Sequence, residues 1–427
     1  MTVISFLEST PHNSCNTTIL CAIDNRSSGV LREQLLPAHR SVIPKQMSNQ
    51  KPDLLIVGAG VIGLGIADVA VREGLRVTLL ERERPASRAS WAGAGMLNCR
   101  PWPRTKTPDY HDLVQASKKR YPVWAERLRE ETDIDIGLYQ CGALELYPES
   151  RATPNGLQNL ERMLEGCAAR DVRAQRVTPA EAKELEPGLN IDGLVTAVHL
   201  PDDGQLRTPR LGKALATSCL QREVDLREGV DVADVWVKDD KTLGVVTRGG
   251  EKIAAGNVVL SPGAWTAQFP SLNRLVPRTA KIHPVRGQIL CFQAPRPVAQ
   301  RLFTVEHHYV VPRPDGITLI GSTMERVEFE AVTTPEGQAD LQAFGARLLP
   351  ALADLKPFTS WADLRPGLKG SHPILGPVPG VSGLMIATGH FRNGLILAPI
   401  TADIIVALLQ GKEPPVAIDP WLPKGSG

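Results

Sequence analysis

DLLIVGAGVIGLGIADVAVREGLRVTLLE, running from Asp53 to Glu81, decides the fold. Leu54 to Val57 is a short apolar run of strand-forming residues, the signature of a buried parallel strand. Gly58, Gly60 and Gly63 follow in G-x-G-x-x-G spacing. An apolar-periodic segment then reaches Glu73, Gly74 stops it, and Val77 to Leu80 form a second apolar run closed by Glu81. Gly58 suits the tight turn, Gly60 the approach of backbone to a pyrophosphate, and Gly63 the close packing of helix on strand. The pyrophosphate belongs on the N–H groups and positive dipole end of the helix that follows. Glu81 at the end of the second strand is placed to accept from ribose hydroxyls. Three glycines alone are a weak signal. Strand, turn, helix, strand and terminal acid in sequence are the context that makes them a dinucleotide site. This stretch calls for an ADP-containing dinucleotide and leaves NAD and FAD both open.

The chain has 427 residues and a formal net charge of +2, enough for two domains and without the basic blocks of a nucleic-acid or membrane-surface binder. No uninterrupted run of roughly 18 apolar residues occurs, so no spanning helix is expected. The seven cysteines, Cys15, Cys21, Cys99, Cys141, Cys167, Cys219 and Cys291, are scattered and show no metal spacing. That fits a reduced, cytoplasmic protein and no metal site.

Residues 1–50 are polar, rich in Ser, Thr and Asn, and without periodicity; they are expected to be a disordered N-terminal extension. They lack the apolar core of a secretory signal, and Glu8, Asp24 and Glu33 interrupt any acid-poor transit peptide. Met47, six residues before the first strand, is a candidate true start, tested by N-terminal sequencing of the natural protein.

After Glu81 and Arg82, a small-residue loop through Ala89, Ser90, Ala94, Gly95 and Met96 implies close backbone approach to a ligand. Tyr110 to Thr132 reads as one helix with a stripe at Leu113, Tyr121, Trp124 and Leu128. Gly142 to Tyr147 reads as a strand, and Thr178 to Glu181 as a capping box. A helix from Gln205 to Leu220 leads to strands near Val224, Val232–Val237, Leu243–Val246 and Val258–Leu260. Further strands follow at Gly287–Phe292, Tyr309–Pro312 and Ile317–Gly321, then a helix through Leu341–Leu349. The chain thus alternates between a nucleotide-binding domain, expected over 51–140, 195–270 and 362–427, and a strand-rich domain over 141–194 and 271–361.

Three pieces of the last third carry candidate chemistry: His307-His308-Tyr309-Val-Val-Pro-Arg313, Trp361-Ala-Asp-Leu364-Arg365-Pro-Gly367, and Gly389-His390-Phe391-Arg392-Asn393-Gly394. The last precedes an apolar helix, Leu395 to Leu409. Its free N–H groups form a site for negative charge.

Taken together, GAGVIG with Glu81, the AGAGML loop, HYVVPR, LRPG and GHFRNG resemble the D-amino-acid oxidase (DAO) family of FAD-dependent oxidoreductases, over about Asp53 to Leu409. The resemblance implies an α/β fold: a Rossmann-like FAD-binding domain of the glutathione-reductase type plus a strand-rich α+β substrate domain. It implies non-covalent FAD lined by Val61, Ile62, Glu81, Arg82, Ala89, Ser90, Ala94, Gly95 and Met96. At the flavin ring it implies His390, Phe391, Arg392, Asn393, Gly394, Leu395 and Ile396, and near the adenine Val232. It further implies that Arg365 holds the substrate carboxylate, that Tyr309 closes over the substrate, and that Arg392 and Met324 line the same cavity. A planar carboxylate is indeed best held by a guanidinium fork. At least one of His307 and His308 is expected to be structural.

The implied activity is oxidation of glycine and other small amines, including sarcosine and D-amino acids. Hydride passes to the flavin and oxygen is the final acceptor, giving a 2-oxo acid such as glyoxylate, ammonia and hydrogen peroxide. A place in thiamine (thiazole) synthesis and a homotetramer are implied as well. Three alternatives stand beside it: a flavin dehydrogenase using another acceptor, a nucleotide-binding protein without catalysis, and a NAD-dependent enzyme.

Overall fold

The computed structural model describes residues 51–98, 108–370 and 372–425. The expected N-terminal extension, Met47, Cys15, Cys21 and Cys99 lie outside the described residues.

The opening stretch folds as its pattern dictates. Leu54–Val57 and Val77–Leu80 are fully buried parallel strands in register, Leu54 opposite Val77 and Val57 opposite Leu80. Between them Val61–Arg72 is a helix. Around this pair a six-stranded sheet is ordered Ile374–Pro377, Leu384–Thr388, Val258–Leu260, Leu54–Val57, Val77–Leu80, Asp225–Arg227. All neighbours are parallel except the first two. One face packs on the helices Val61–Arg72, Thr208–Gln221 and Gly394–Leu409, the other on a second apolar cluster that includes Val232, Phe269 and Ile282. Burial on both faces is why these strands read as continuous apolar runs.

The second large sheet has nine strands. Its path runs Glu325–Arg326, His283–Gln293, Ile317–Gly321, His308–Pro312, Leu302–Val305, Ala143–Pro148, Leu194–Leu200, Gln175–Val177, and Thr359–Gly367 also pairs with His283–Gln293. Only Leu302–Val305 with Ala143–Pro148 is parallel within it. Leu194–Leu200 and Thr359–Gly367 each cross one of the boundaries expected from sequence. The chain from Lys51 onward forms one compact unit.

Two expectations need correction. The segment 110–132 is two helices, Pro108–Lys118 and Tyr121–Thr132, because Pro122 sits in the first turn of the second. Proline is suited to a helix start and disfavours helical backbone before it. The stripe Leu113, Tyr121, Trp124 and Leu128 is nevertheless buried. Secondly, Phe391–Leu409 is long and apolar enough, by length and composition, to cross a membrane. Its average hydropathy is high although Arg392, Asn393 and Asp403 interrupt it. In the fold, Ile396 to Ala402 and Ile404 to Val406 are buried, and the helix packs on Val61–Arg72 and Pro108–Lys118. It is a core helix. Elsewhere the capping box at Thr178 is complete, with Glu181 Oε2 accepting from the Thr178 N–H at 2.7 Å.

Candidate active site

The glycine turn is built as its spacing requires. Gly58 has φ +96°, and a Cβ there would lie 2.6 Å from the Ser261 carbonyl oxygen. A Cβ on Gly63 would lie 1.9 Å from the Gly58 oxygen, so only glycine lets the helix pack this close. Gly60 caps the helix without a side-chain bond; instead Ser90 Oγ accepts the Val61 N–H at 2.8 Å. The next N–H groups of that first turn have no partner within the helix and are available to a ligand. Both oxygens of Glu81 also serve the turn, accepting from the N–H of Ala59 at 2.8 Å and of Glu83 at 2.9 Å. Burial pushes its carboxyl up, against those two hydrogen bonds. Each oxygen keeps a second lone pair for a hydroxyl.

Gly58, Gly60, Glu81, Arg82, Ala89, Ser90 and Val232 line one open cleft. The cleft also has walls outside the expected cofactor residues: Arg88, Ser261, Gly263, Trp265, and Leu364 and Pro366 of the LRPG motif. Arg82 stacks over the Trp265 ring at 4.2 Å and Arg88 at 5.3 Å. Gly263 has φ +57° and a Cβ there would meet nothing within 4 Å, so backbone faces open cleft. Basic side chains, a helix start and exposed backbone fit an anionic, extended dinucleotide such as FAD.

The other expected cofactor residues lie on two adjoining pieces. Met96–Leu97 pairs with Gly204–Gln205 and touches the helix Gly394–Leu409. Gly95 has φ +82° and a Cβ there would fall 1.9 Å from the Leu206 oxygen. The loop is also tied to the strand carrying Arg365, since Trp361 Nε1 donates to the Ala92 oxygen at 3.0 Å. The turn Phe391–Asn393 packs against that same strand, Thr359–Gly367. Phe391 holds φ +50° after Gly389 at +74°, an uncommon backbone for an aromatic residue. Asn393 donates to the Tyr110 hydroxyl, and the Tyr121 hydroxyl donates to the Leu395 oxygen. His390 is buried with Nε2 3.1 Å from Thr401 Oγ1. Burial lowers its pKa to about 3, so its neutral ring braces the turn from inside.

The substrate-side residues converge on the nine-stranded sheet. Arg365, half-buried, pairs opposite Val285 and its Nη2 donates to Ser322 Oγ at 2.7 Å, while Nη1 donates to the Thr323 oxygen at 3.3 Å. The guanidinium lies flat on Gly287, where a Cβ would come within 2.1–2.3 Å of it. Tyr309 is buried with its ring flat on Gly321, where a Cβ would lie 2.5 Å from the ring and 2.6 Å from the hydroxyl. Gly321 and Ser322 thus bring Tyr309 and Arg365 to adjacent positions. Met324, next to Thr323, is 45% exposed. Arg392 is exposed; its charge and that of Arg365, after burial, hold the His307 pKa below its usual value, so both guanidiniums lie near His307. His308 packs at a tilt against Phe344, ring centroids 4.9 Å apart, and burial followed by the neighbouring His307 lowers its pKa to about 4. That is the structural histidine of the pair. Glycines inside β-branched runs at 287 and 321 were the missed signal, since strand glycines mark close approach. Among the described residues no cluster of metal-ligand side chains occurs.

The profile of the DAO family, FAD dependent oxidoreductase, matches residues 53–408. Glycine oxidase of Pseudomonas aeruginosa is 36% identical over 375 residues, 87% of this chain and 98% of that protein. The bifunctional protein ThiO/ThiG of Synechocystis is 32% identical over 84% of this chain, which spans 52% of that longer protein. The crystal structure of glycine oxidase from Geobacillus kaustophilus superposes with a TM-score of 0.81 at 31% identity, covering 87% of this chain and 98% of that one. The chain belongs to the DAO family of FAD-dependent oxidoreductases and is a glycine oxidase-like enzyme.

Proposed function

We propose that the protein oxidatively deaminates glycine and other small primary or secondary amines, sarcosine and D-amino acids among them, with oxygen as acceptor. The observation that carries the reading is the juxtaposition of Arg365 and Tyr309 across Gly287 and Gly321, beside the flavin-side turn 389–394. In this reading Arg365 takes the substrate carboxylate in a charge-assisted, forked pair, and Ser322 and Thr323 fix the guanidinium plane. Tyr309 covers the amino acid and excludes water from it. Arg392 and Met324 line the outer wall. FAD, when bound, would supply hydride-accepting and oxygen-reducing chemistry. The protein contributes orientation, presenting the α-carbon of the anchored amine with its lone pair free. The first turn of the helix Gly394–Leu409, with Gly394, Leu395 and Ile396, offers positive potential where negative charge develops.

The proposal includes non-covalent FAD, supported by the sequence, in which the last cysteine is Cys291 and the C-terminal flavin-side segment 389–396 has none. It includes service to thiazole synthesis, supported by the similarity to ThiO/ThiG, and a cytoplasmic homotetramer, to be tested by light scattering and localisation. The decisive experiment is anaerobic mixing of the purified yellow protein with glycine, sarcosine, D-alanine and D-proline, followed by air. Bleaching by the small amines and stoichiometric peroxide on reoxidation are expected. Bleaching without peroxide would favour a dehydrogenase, and no bleaching by any amine would refute the proposal.

A further inference from the structure

Arg313 ends the HYVVPR motif, is buried, and has no part in the site described above. Its Nη1 donates to Gln205 Oε1 at 2.6 Å and to the Leu206 oxygen at 2.8 Å, and its Nη2 to the Ala94 oxygen at 2.7 Å. All three acceptors are neutral. The nearby carboxylate of Asp315 pairs instead with Arg207 at 2.6 Å. A buried guanidinium without a bonded carboxylate is costly, and burial accordingly lowers its pKa to about 10. Gln205, also buried, returns the contact by donating Nε2 to the Pro312 oxygen at 2.7 Å. Gln205 further pairs with Met96, and the Leu206 N–H donates to the Gly95 oxygen at 2.8 Å. These bonds knot three segments together: the loop Ala94–Met96, the bridge Gln205–Leu206, and the C-terminal end of the strand His308–Pro312. Tyr309 lies on that strand four residues earlier, about 13 Å along an extended chain.

We propose that Arg313 is a positioning residue. It fixes the loop Ala94–Met96 against the strand of Tyr309 and so sets the separation between the flavin and the anchored amine. This rests on the reading of that loop as a flavin contact. A planar fork is needed because the acceptors lie on two different segments, which a single ammonium cannot span in the same way. Misplacing reacting groups by a fraction of an ångström lowers rate more than binding, since Arg365 holds the carboxylate independently.

The test compares wild type, Arg313→Lys, Arg313→Met and Gln205→Ala. Flavin reduction by glycine is followed anaerobically by stopped flow, acetate binding by flavin absorbance, and hydrogen exchange of residues 92–97 in the FAD-stripped proteins. Both Arg313 variants are expected to lose at least tenfold in limiting reduction rate, with acetate affinity within twofold of wild type and exchange at least tenfold faster. If Arg313→Met does not fold, Arg313→Lys and Gln205→Ala carry the comparison, Gln205→Ala losing rate severalfold. Wild-type reduction rates in the Arg313 variants that fold, or full rate in Arg313→Lys, would overturn the proposal, the latter by assigning the residue a charge role. Failure of wild type to be reduced by glycine would strike the functional reading instead, and unchanged exchange in the stripped proteins would overturn the bracing role by itself.

Discussion

Arg365 can lie flat across a neighbouring strand because position 287 has no side chain. In the pairing of Thr359–Gly367 with His283–Gln293, Gly287 faces Asp363 and the guanidinium two residues along folds back over it. A methyl group there must displace the fork from Ser322 and Thr323, since backbone on one side and the sheet on the other leave no slack. Gly287→Ala is therefore expected to raise KM for glycine about tenfold or more, the equivalent of roughly 1.4 kcal/mol of lost anchoring, with flavin content unchanged. Steady-state peroxide assays check this, and an unaltered KM would mean that the guanidinium does not use this seat. The residue scale was also where sequence said least about partners. Arg365 and Tyr309 were legible only through family resemblance, whereas Gly287, Gly321, Ser322 and Thr323 gain their roles from pairing register, which no local pattern contains.

At the scale of elements, legibility followed periodicity. The strand Leu54–Val57, the helix Val61–Arg72 and the strand Val77–Leu80 were readable because both faces of the sheet are covered and the glycine stop at 74 is unambiguous. Thr178 announced its helix by chemistry, through a capping box that closes in the fold. The break between Lys118 and Tyr121 was hidden because the apolar stripe continues in phase across it, and only Pro122 marks the restart. Ala143–Pro148 is buried on both faces save its last residue, because it lies inside the nine-stranded sheet with cover on each side. The strand Thr359–Gly367 had no alternation to find: Pro366 and Gly367 read as a turn. Pairing with the eleven-residue strand His283–Gln293 holds them extended. The two adjoining turns, at 94–96 and 389–394, take positive-φ backbone at Gly95, Gly389 and Phe391. Glycine at the first two was a readable sign, and Phe391 was not.

At the scale of the whole molecule, two neutral histidines link the fold to pH. Burial lowers the pKa of His390 to about 3, and burial with His307 lowers that of His308 to about 4. Unfolded, both titrate near the ordinary histidine value of roughly 6.5. Between these limits the unfolded chain binds more protons than the folded one, so stability rises with pH and is lost as pH falls from about 6.5 towards 4. The loss should be on the order of a few kcal/mol across the window, taken over both groups. Thermal midpoints of the FAD-loaded protein at pH 7.5, 6 and 4.5 are expected to fall steadily. In His390→Asn that fall should be shallower, although the variant starts lower. An equal slope in the variant would mean that His390 is protonated without cost.

In the proposed function, the Arg365 guanidinium on the nine-stranded sheet anchors a small carboxylate in front of a flavin held by the glycine turn and the 389–394 turn. Titration of the FAD-loaded protein with acetate, read from the flavin absorbance, measures that anchoring without turnover. Wild type should show a saturable spectral change, and Arg365→Ala, still yellow, should bind acetate roughly tenfold to hundredfold more weakly, the value of a lost charge-assisted pair. Equal affinity in the two proteins would contradict the account.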